Sequence, residues 1–184
     1  WLFLMLMVCA GASEMAMSQW SSAFAEAGLK VSKTTGDLAG PLTFAALMGT
    51  ARAIYGKYSD HIPLKKMMVF SAVLCIISYS LATLTNNAVL GFIGCALCGF
   101  SVGIFWPGTF SIAAKRLPSG GTAMYALMAL AGDLGCSEGP SLVGFVADAR
   151  GGILSAGLLT AMIFPVLMLA GLLTLRRSKS VGGL

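Results

Sequence analysis

The stretch that decides the fold is residues 67–114, MMVFSAVLCIISYSLATLTNNAVLGFIGCALCGFSVGIFWPGTFSIAA. Met67 to Leu84 is one apolar run and Ala88 to Ala114 a second, and no Asp, Glu, Lys or Arg interrupts either. A helix needs about 20 mostly apolar residues to cross a bilayer, so each run has the length of a membrane span. Asn86-Asn87 is a tight polar turn between them, which makes the two spans antiparallel neighbours.

Composition extends this reading to the whole chain. Only 10% of the 184 residues are charged, 57% are hydrophobic, and the mean hydropathy is +0.86. Soluble domains carry about 25% charged residues, so there is too little charge here to form a water-facing shell. Four more spans flank the central pair: about Trp1 to Ala27, Leu38 to Tyr58, Thr122 to Ala147, and Ile153 to Leu175. The connectors are polar or turn-rich: Lys30 to Asp37, Lys115 to Gly121, and Asp148 to Gly152. None is long enough to separate two domains, so residues 1–184 form one six-helix unit with a tail at 176–184.

The chain opens at Trp1 with no initiator Met and no basic stretch before the apolar run, which reads as a piece of a longer protein. A signal peptide is a poorer fit, because its basic n-region is missing and the helical pattern continues past Ala12. A net charge of +5 and a pI of about 9.1 ordinarily raise nucleic-acid binding. Here the basic residues sit at the ends of apolar runs, where topology accounts for them. Lys57, Lys65, Lys66, Lys115, Arg116, Arg176, Arg177 and Lys179 fall on one side, against Lys30, Lys33 and Arg150 on the other. The positive-inside bias therefore sets both termini in the cytoplasm of a cell or inner membrane.

Small residues mark helix contacts. Gly99 with Gly103, and Gly135 with Gly139, lie four apart on one helix face, as close packing in lipid requires. Cys9, Cys75, Cys95, Cys98 and Cys136 all fall inside apolar segments and read as packing residues, the Cys95-x-x-Cys98 pair included. His61 is the only histidine, so a metal cluster is not available, and no phosphate-binding loop or nucleophile elbow appears. No enzyme activity, cofactor or metal is expected.

The loop after the second span reads Gly56-Lys57-Tyr58-Ser59-Asp60-His61-Ile62-Pro63-Leu64-Lys65-Lys66. A Gly, an Asp four residues on and then clustered basic residues resembles the cytoplasmic signature of the major facilitator superfamily. His61 and Pro63 depart from its usual residues. The signature follows the second helix of each half in that family, as it does here. Gly135-x3-Gly139-Pro140-x3-Gly144 resembles the Gly-Pro motif of some members, with one residue of spacing changed. The resemblance implies an all-α fold of six transmembrane helices, built as a 3+3 inverted repeat and forming the C-terminal half of a twelve-helix transporter. It implies a missing N-terminal six-helix half as partner, with the lipid bilayer, a small solute and a coupling ion. The texture resembles fucose-permease-type porters. Gly56, Asp60, Lys65 and Lys66 then form a cytoplasmic gate, in which a helix-end Asp pairs in one state and releases in another.

An ionisable side chain within a span costs about 2.5–3.5 kcal/mol on insertion scales, so each one is a candidate for function. Glu14 and Asp133 fall near the membrane centre, Arg52 slightly inward and Glu138 outward. Transporters of this type bind solute near the midplane. Glu14, Arg52, Asp133 and Glu138 are the candidate solute and ion site: Arg52 for a sugar hydroxyl or an anionic group, Glu14 or Asp133 for a coupling proton. The competing reading is a pair between Arg52 and a carboxylate that only neutralises charge. Trp106 is a candidate ring for stacking on a solute, and Pro107-Gly108 a candidate bend. Gln19-Trp20-Ser21-Ser22 reads as an interfacial anchor or part of an outer gate. The expected function is proton-coupled symport of a sugar-like solute or organic anion. The alternatives are an exporter of drugs or metabolites and a non-transporting sensor or scaffold.

Overall fold

The computed structural model describes residues 1–58 and 62–175. Among these residues the regular structure is entirely helical: α1 Leu2–Ser18, α2 Ser21–Leu29, α3 Lys33–Tyr58, α4 Leu64–Leu84, α5 Ala88–Val102, α6 Phe105–Arg116, α7 Gly121–Ala149, α8 Leu154–Ala161 and α9 Ile163–Thr174. Three pairs are single rods with a break: α1 with α2, α5 with α6, and α8 with α9. The described residues therefore form six rods, in the order expected from the apolar runs.

Four rods are long and apolar enough to cross a membrane: Leu2–Leu29, Leu64–Leu84, Ala88–Arg116 and Leu154–Thr174. The second rod (α3) and the fifth (α7) have the length, about 39 and 43 Å at 1.5 Å per residue. They fall short in apolarity because they carry Lys33, Asp37, Arg52 and Lys57, and Asp133, Glu138 and Asp148 respectively. The charge-bearing candidates thus concentrate on the two least apolar rods, with Glu14 on the first.

The breaks have local causes. Pro107 is the third residue of α6 and Pro165 the third of α9. Proline has no N–H to give the carbonyl four residues earlier, so Gly103 and Ala161 lose their helical donor and the ladder is interrupted just there. The interruption expected from Pro107 is present, one turn before it, and only the share expected of Gly108 is corrected. Gly108 bonds normally to the Ile104 carbonyl (2.8 Å) and packs against Met68, while the break lies at Gly103–Ile104. The connector expected at Lys30 to Asp37 is also shorter. Lys30 ends α2 in the left-handed region (φ 53°), and the Ser32 side chain accepts from the Thr35 N–H (3.4 Å) to start α3.

Rods meet through backbone where the sequence is small. An added Cβ at Gly135 or Gly139 would run into the carbonyl oxygens of Val8 and Ala12 on α1, and one at Gly99 or Gly103 into those of Phe44 and Met48 on α3. Both glycine pairs are therefore helix contacts, joining the fifth rod to the first and the fourth to the second. The main core gathers Leu6, Phe44, Met68, Tyr79, Phe105, Leu158 and Leu172. Outside it, Phe70, Leu130, Phe145 and Leu173 stand exposed, a cost in water that a lipid surround removes. The cysteine reading holds: Cys75 and Cys98 are buried free thiols 3.9 Å apart.

A cavity between the first, second and fourth rods

A cavity of about 380 Å³ is lined by Glu14 of α1, Arg52 of α3, and Trp106, Pro107 and Phe110 of α6. Glu14 is half-buried, and its Oε2 is shielded from solvent without a hydrogen-bond partner. Its backbone neighbourhood is fixed by the third rod, where the fully buried Tyr79 hydroxyl donates to the Ser13 carbonyl at 2.9 Å.

Arg52 acts electrostatically on Glu14 but forms no ion pair among the described residues. Its Nε donates to the Gly103 carbonyl at 3.1 Å, and its Nη2 faces Met48 Sδ at 3.6 Å. The Gly103 carbonyl is the one that Pro107 leaves without a helical donor, so the charge on the second rod completes the broken ladder of the fourth. The direct Arg52–carboxylate pair expected from charge neutralisation does not form; the two charges face a common space instead.

Aromatic rings make the rest of the wall. Trp106 lies over the backbone of Gly132 on α7, where an added Cβ would meet its six-membered ring. Trp106 and Phe110 are tilted at 6.4 Å between centroids, and Phe110 and Tyr125 at 5.9 Å. Phe110 and Tyr125 were not among the sequence candidates. The spacing of Trp106 and Phe110, four apart on one helix face, is the signal that would have found the first of them.

A match to the family model of the Major Facilitator Superfamily covers residues 2–183. The chain belongs to the major facilitator superfamily. Comparison with individual curated proteins, and with solved structures, finds no match. Membership makes this a multi-pass membrane protein of a family that transports solutes across membranes.

The remaining candidates of this superfamily member are dispersed. Asp133 is exposed on α7 and does not line the cavity; it follows Gly132, the residue that Trp106 covers. Glu138 is exposed further along α7 and is not part of the cavity wall. Of the gate residues, Gly56 lies in the last turns of α3 and Lys66 is exposed. Lys65 Nζ donates to the Leu175 carbonyl just beyond α9. A second cavity, of about 580 Å³, is lined by Pro63, Lys65, Lys66 and Val69. Asp60 and His61, and the tail basic residues Arg176, Arg177 and Lys179, lie outside the described residues. Trp20 packs against the main core at the first rod's break, with its indole N–H shielded and unpartnered. Among the described residues there is no cluster able to hold a metal.

Proposed function

We propose that this chain is one six-span half, the C-terminal one, of a secondary transporter that moves a small polar solute, a sugar-like molecule or an organic anion, by alternating access in symport with protons. All six rods then cross the membrane, with both termini cytoplasmic, and a second six-helix half supplies the opposite wall. The contact pattern supports a 3+3 arrangement. Exchanging the first three rods for the last three maps the first–fifth contact onto the fourth–second, and the third–fourth onto the sixth–first. The fucose-permease-type assignment rests on sequence texture alone.

One observation carries this reading. Glu14 and Arg52 present opposite charges to a single cavity without bonding each other, and Glu14 Oε2 has no partner. A structural bundle gains nothing from this arrangement, because an unsatisfied carboxylate oxygen away from water is costly. In a transporter it does work. A negatively charged group arriving at Arg52 removes the charge that balances Glu14, and an uncompensated carboxylate in a low-dielectric site takes a proton rather than stay ionised. Solute and proton are thereby linked. Asp133, next to the Gly132 that Trp106 covers, is the second candidate proton carrier, and Glu138 an outer one. Gly56, Asp60, Lys65 and Lys66 act as the cytoplasmic gate. No residue here is assigned to enzymatic chemistry.

The test is solute uptake by the full-length protein in proteoliposomes under an imposed proton gradient. Glu14→Gln, Arg52→Gln and Asp133→Asn are expected to lose gradient-driven accumulation. Wild-type accumulation in all three variants would sink the cavity assignment. The aromatic row Trp106–Phe110–Tyr125 favours a second reading, export of apolar drugs or metabolites. Efflux of an apolar dye that is indifferent to Arg52→Gln would select it.

A further inference from the structure

The guanidinium of Arg52 has two edges that can grip a planar anion: the side edge formed by Nε and Nη2, and the end edge formed by Nη1 and Nη2. The protein occupies the side edge. Nε is bonded to the Gly103 carbonyl and Nη2 faces Met48 Sδ. Arg52 nonetheless lines the cavity, so the end edge is what remains for a ligand. The acceptor that fixes this orientation exists because Pro107 withholds its N–H from Gly103.

The geometry points to a solute bearing a single carboxylate, gripped end-on by Arg52, with Pro107 as the positioning residue that sets the guanidinium. This rests on the transport reading and narrows its solute. A planar carboxylate matches the two parallel N–H bonds of the end edge, whereas a lone hydroxyl engages only one. Arg52 is the one cationic side chain in the cavity lining, so a second negative charge on the ligand would have no partner there. Trp106 and Phe110 offer ring surface for an apolar or cyclic body. The cavity therefore selects a monocarboxylate with a ring or apolar portion over a neutral polyol.

The experiment uses the full-length protein in lipid nanodiscs, with nitrogen-15 NMR of the guanidinium groups and the Arg52 signals assigned by their loss in Arg52→Lys. Benzoate and its uncharged counterpart benzamide are the probes. Benzoate is expected to shift the Arg52 Nη signals and leave Nε in place, while benzamide shifts neither. Pro107→Ala restores an N–H to the Gly103 carbonyl and is expected to raise the benzoate half-saturation concentration by about tenfold, as loss of one ordered charge-assisted contact would. Equal titration by benzamide, no Nη shift with benzoate, or unchanged half-saturation in Pro107→Ala would each overturn the proposal. If Pro107→Ala does not fold, the wild-type protein decides: solvent exchange of the Arg52 Nε–H must be slower than that of Arg150, and equal exchange overturns the positioning role. Glucose uptake that persists in Arg52→Gln would overturn the carboxylate assignment and leave transport standing. A benzoate shift without transport of any solute would do the reverse.

Discussion

Arg52 Nε donates to the Gly103 carbonyl at 3.1 Å, across 51 residues of chain and from one rod to another. A charged group on α3 thus supplies the hydrogen bond that Pro107 denies to the fourth rod. Two needs are met at once: a guanidinium in a membrane protein's helix bundle needs an acceptor, and a broken helix leaves a carbonyl in need of a donor. The contact also ties the cavity's positive charge to the point at which the fourth rod is interrupted.

Removing that donor should loosen the rod as well as the cavity. Arg52→Gln leaves the Gly103 carbonyl unsatisfied, at a cost of about 1–3 kcal/mol for a buried acceptor. The expected result is a lower thermal midpoint in detergent and faster amide exchange around residues 104–106. Arg52→Gln combined with Pro107→Ala should recover the midpoint, because the restored N–H satisfies Gly103, but should not recover uptake. Recovery of uptake in the double variant would show that Arg52 serves the helix alone.

Glu14 is predicted to set the proton dependence. In the wild-type protein, acidifying the side from which solute enters should increase accumulation. In Glu14→Gln the side chain is permanently neutral, so that pH response should flatten while exchange of labelled for unlabelled solute continues. Counterflow in proteoliposomes at several external pH values reads both. A preserved pH response in Glu14→Gln would move proton carriage to another group, with Asp133 next in position.

Gly135 and Gly144 lie on the same helix but differ in surroundings. A Cβ at 135 would strike the Val8 carbonyl, which belongs to backbone and cannot rotate away, whereas nothing lies within 4 Å of one at 144. Gly135→Ala should therefore destabilise the bundle by about 1–3 kcal/mol through overpacking. Gly144→Ala should be neutral or gain up to about 1 kcal/mol from helix propensity. Thermal unfolding of the two variants in the same detergent compares them directly.

The contrast between these glycines also marks what the sequence could disclose. Spacing four apart was enough to identify Gly135 and Gly139 as a packing face, because lipid leaves small residues as the way for backbones to approach. The six rods were legible for a similar reason, since apolar length is a local property. The start of α3 at Lys33 was not, because Lys33 to Asp37 is polar and only the Ser32 cap turns it into helix. Glu14, Arg52 and Trp106 were legible as single costly or conspicuous residues, and the cavity brings them together. The sequence did not reveal that Arg52 would bond to backbone rather than to a carboxylate. That outcome depends on a carbonyl freed by a proline on a different rod, which no spacing rule within one helix reports. Asp133 and Glu138 illustrate the opposite case: their place on the fifth rod was readable, their facing direction was not.

Lys65 and Lys66 form a matched pair in the first turn of α4. Both are cationic and adjacent, but Lys65 is half-buried and donates to the Leu175 carbonyl at the end of the sixth rod, while Lys66 is exposed. A cation at a helix C-terminus stabilises it by about 0.3–1 kcal/mol, through the terminal carbonyls and the helix dipole. Lys65→Met should therefore fray the last turn of α9, raising amide exchange at residues 172–175, while Lys66→Met changes it little. Both variants remove one positive charge, so a general electrostatic effect would move them equally. If the Lys65 contact helps hold this end of the bundle closed, Lys65→Met alone should raise the labelling rate of a cysteine introduced at Phe110. Equal labelling in the two variants would confine Lys65 to capping a helix.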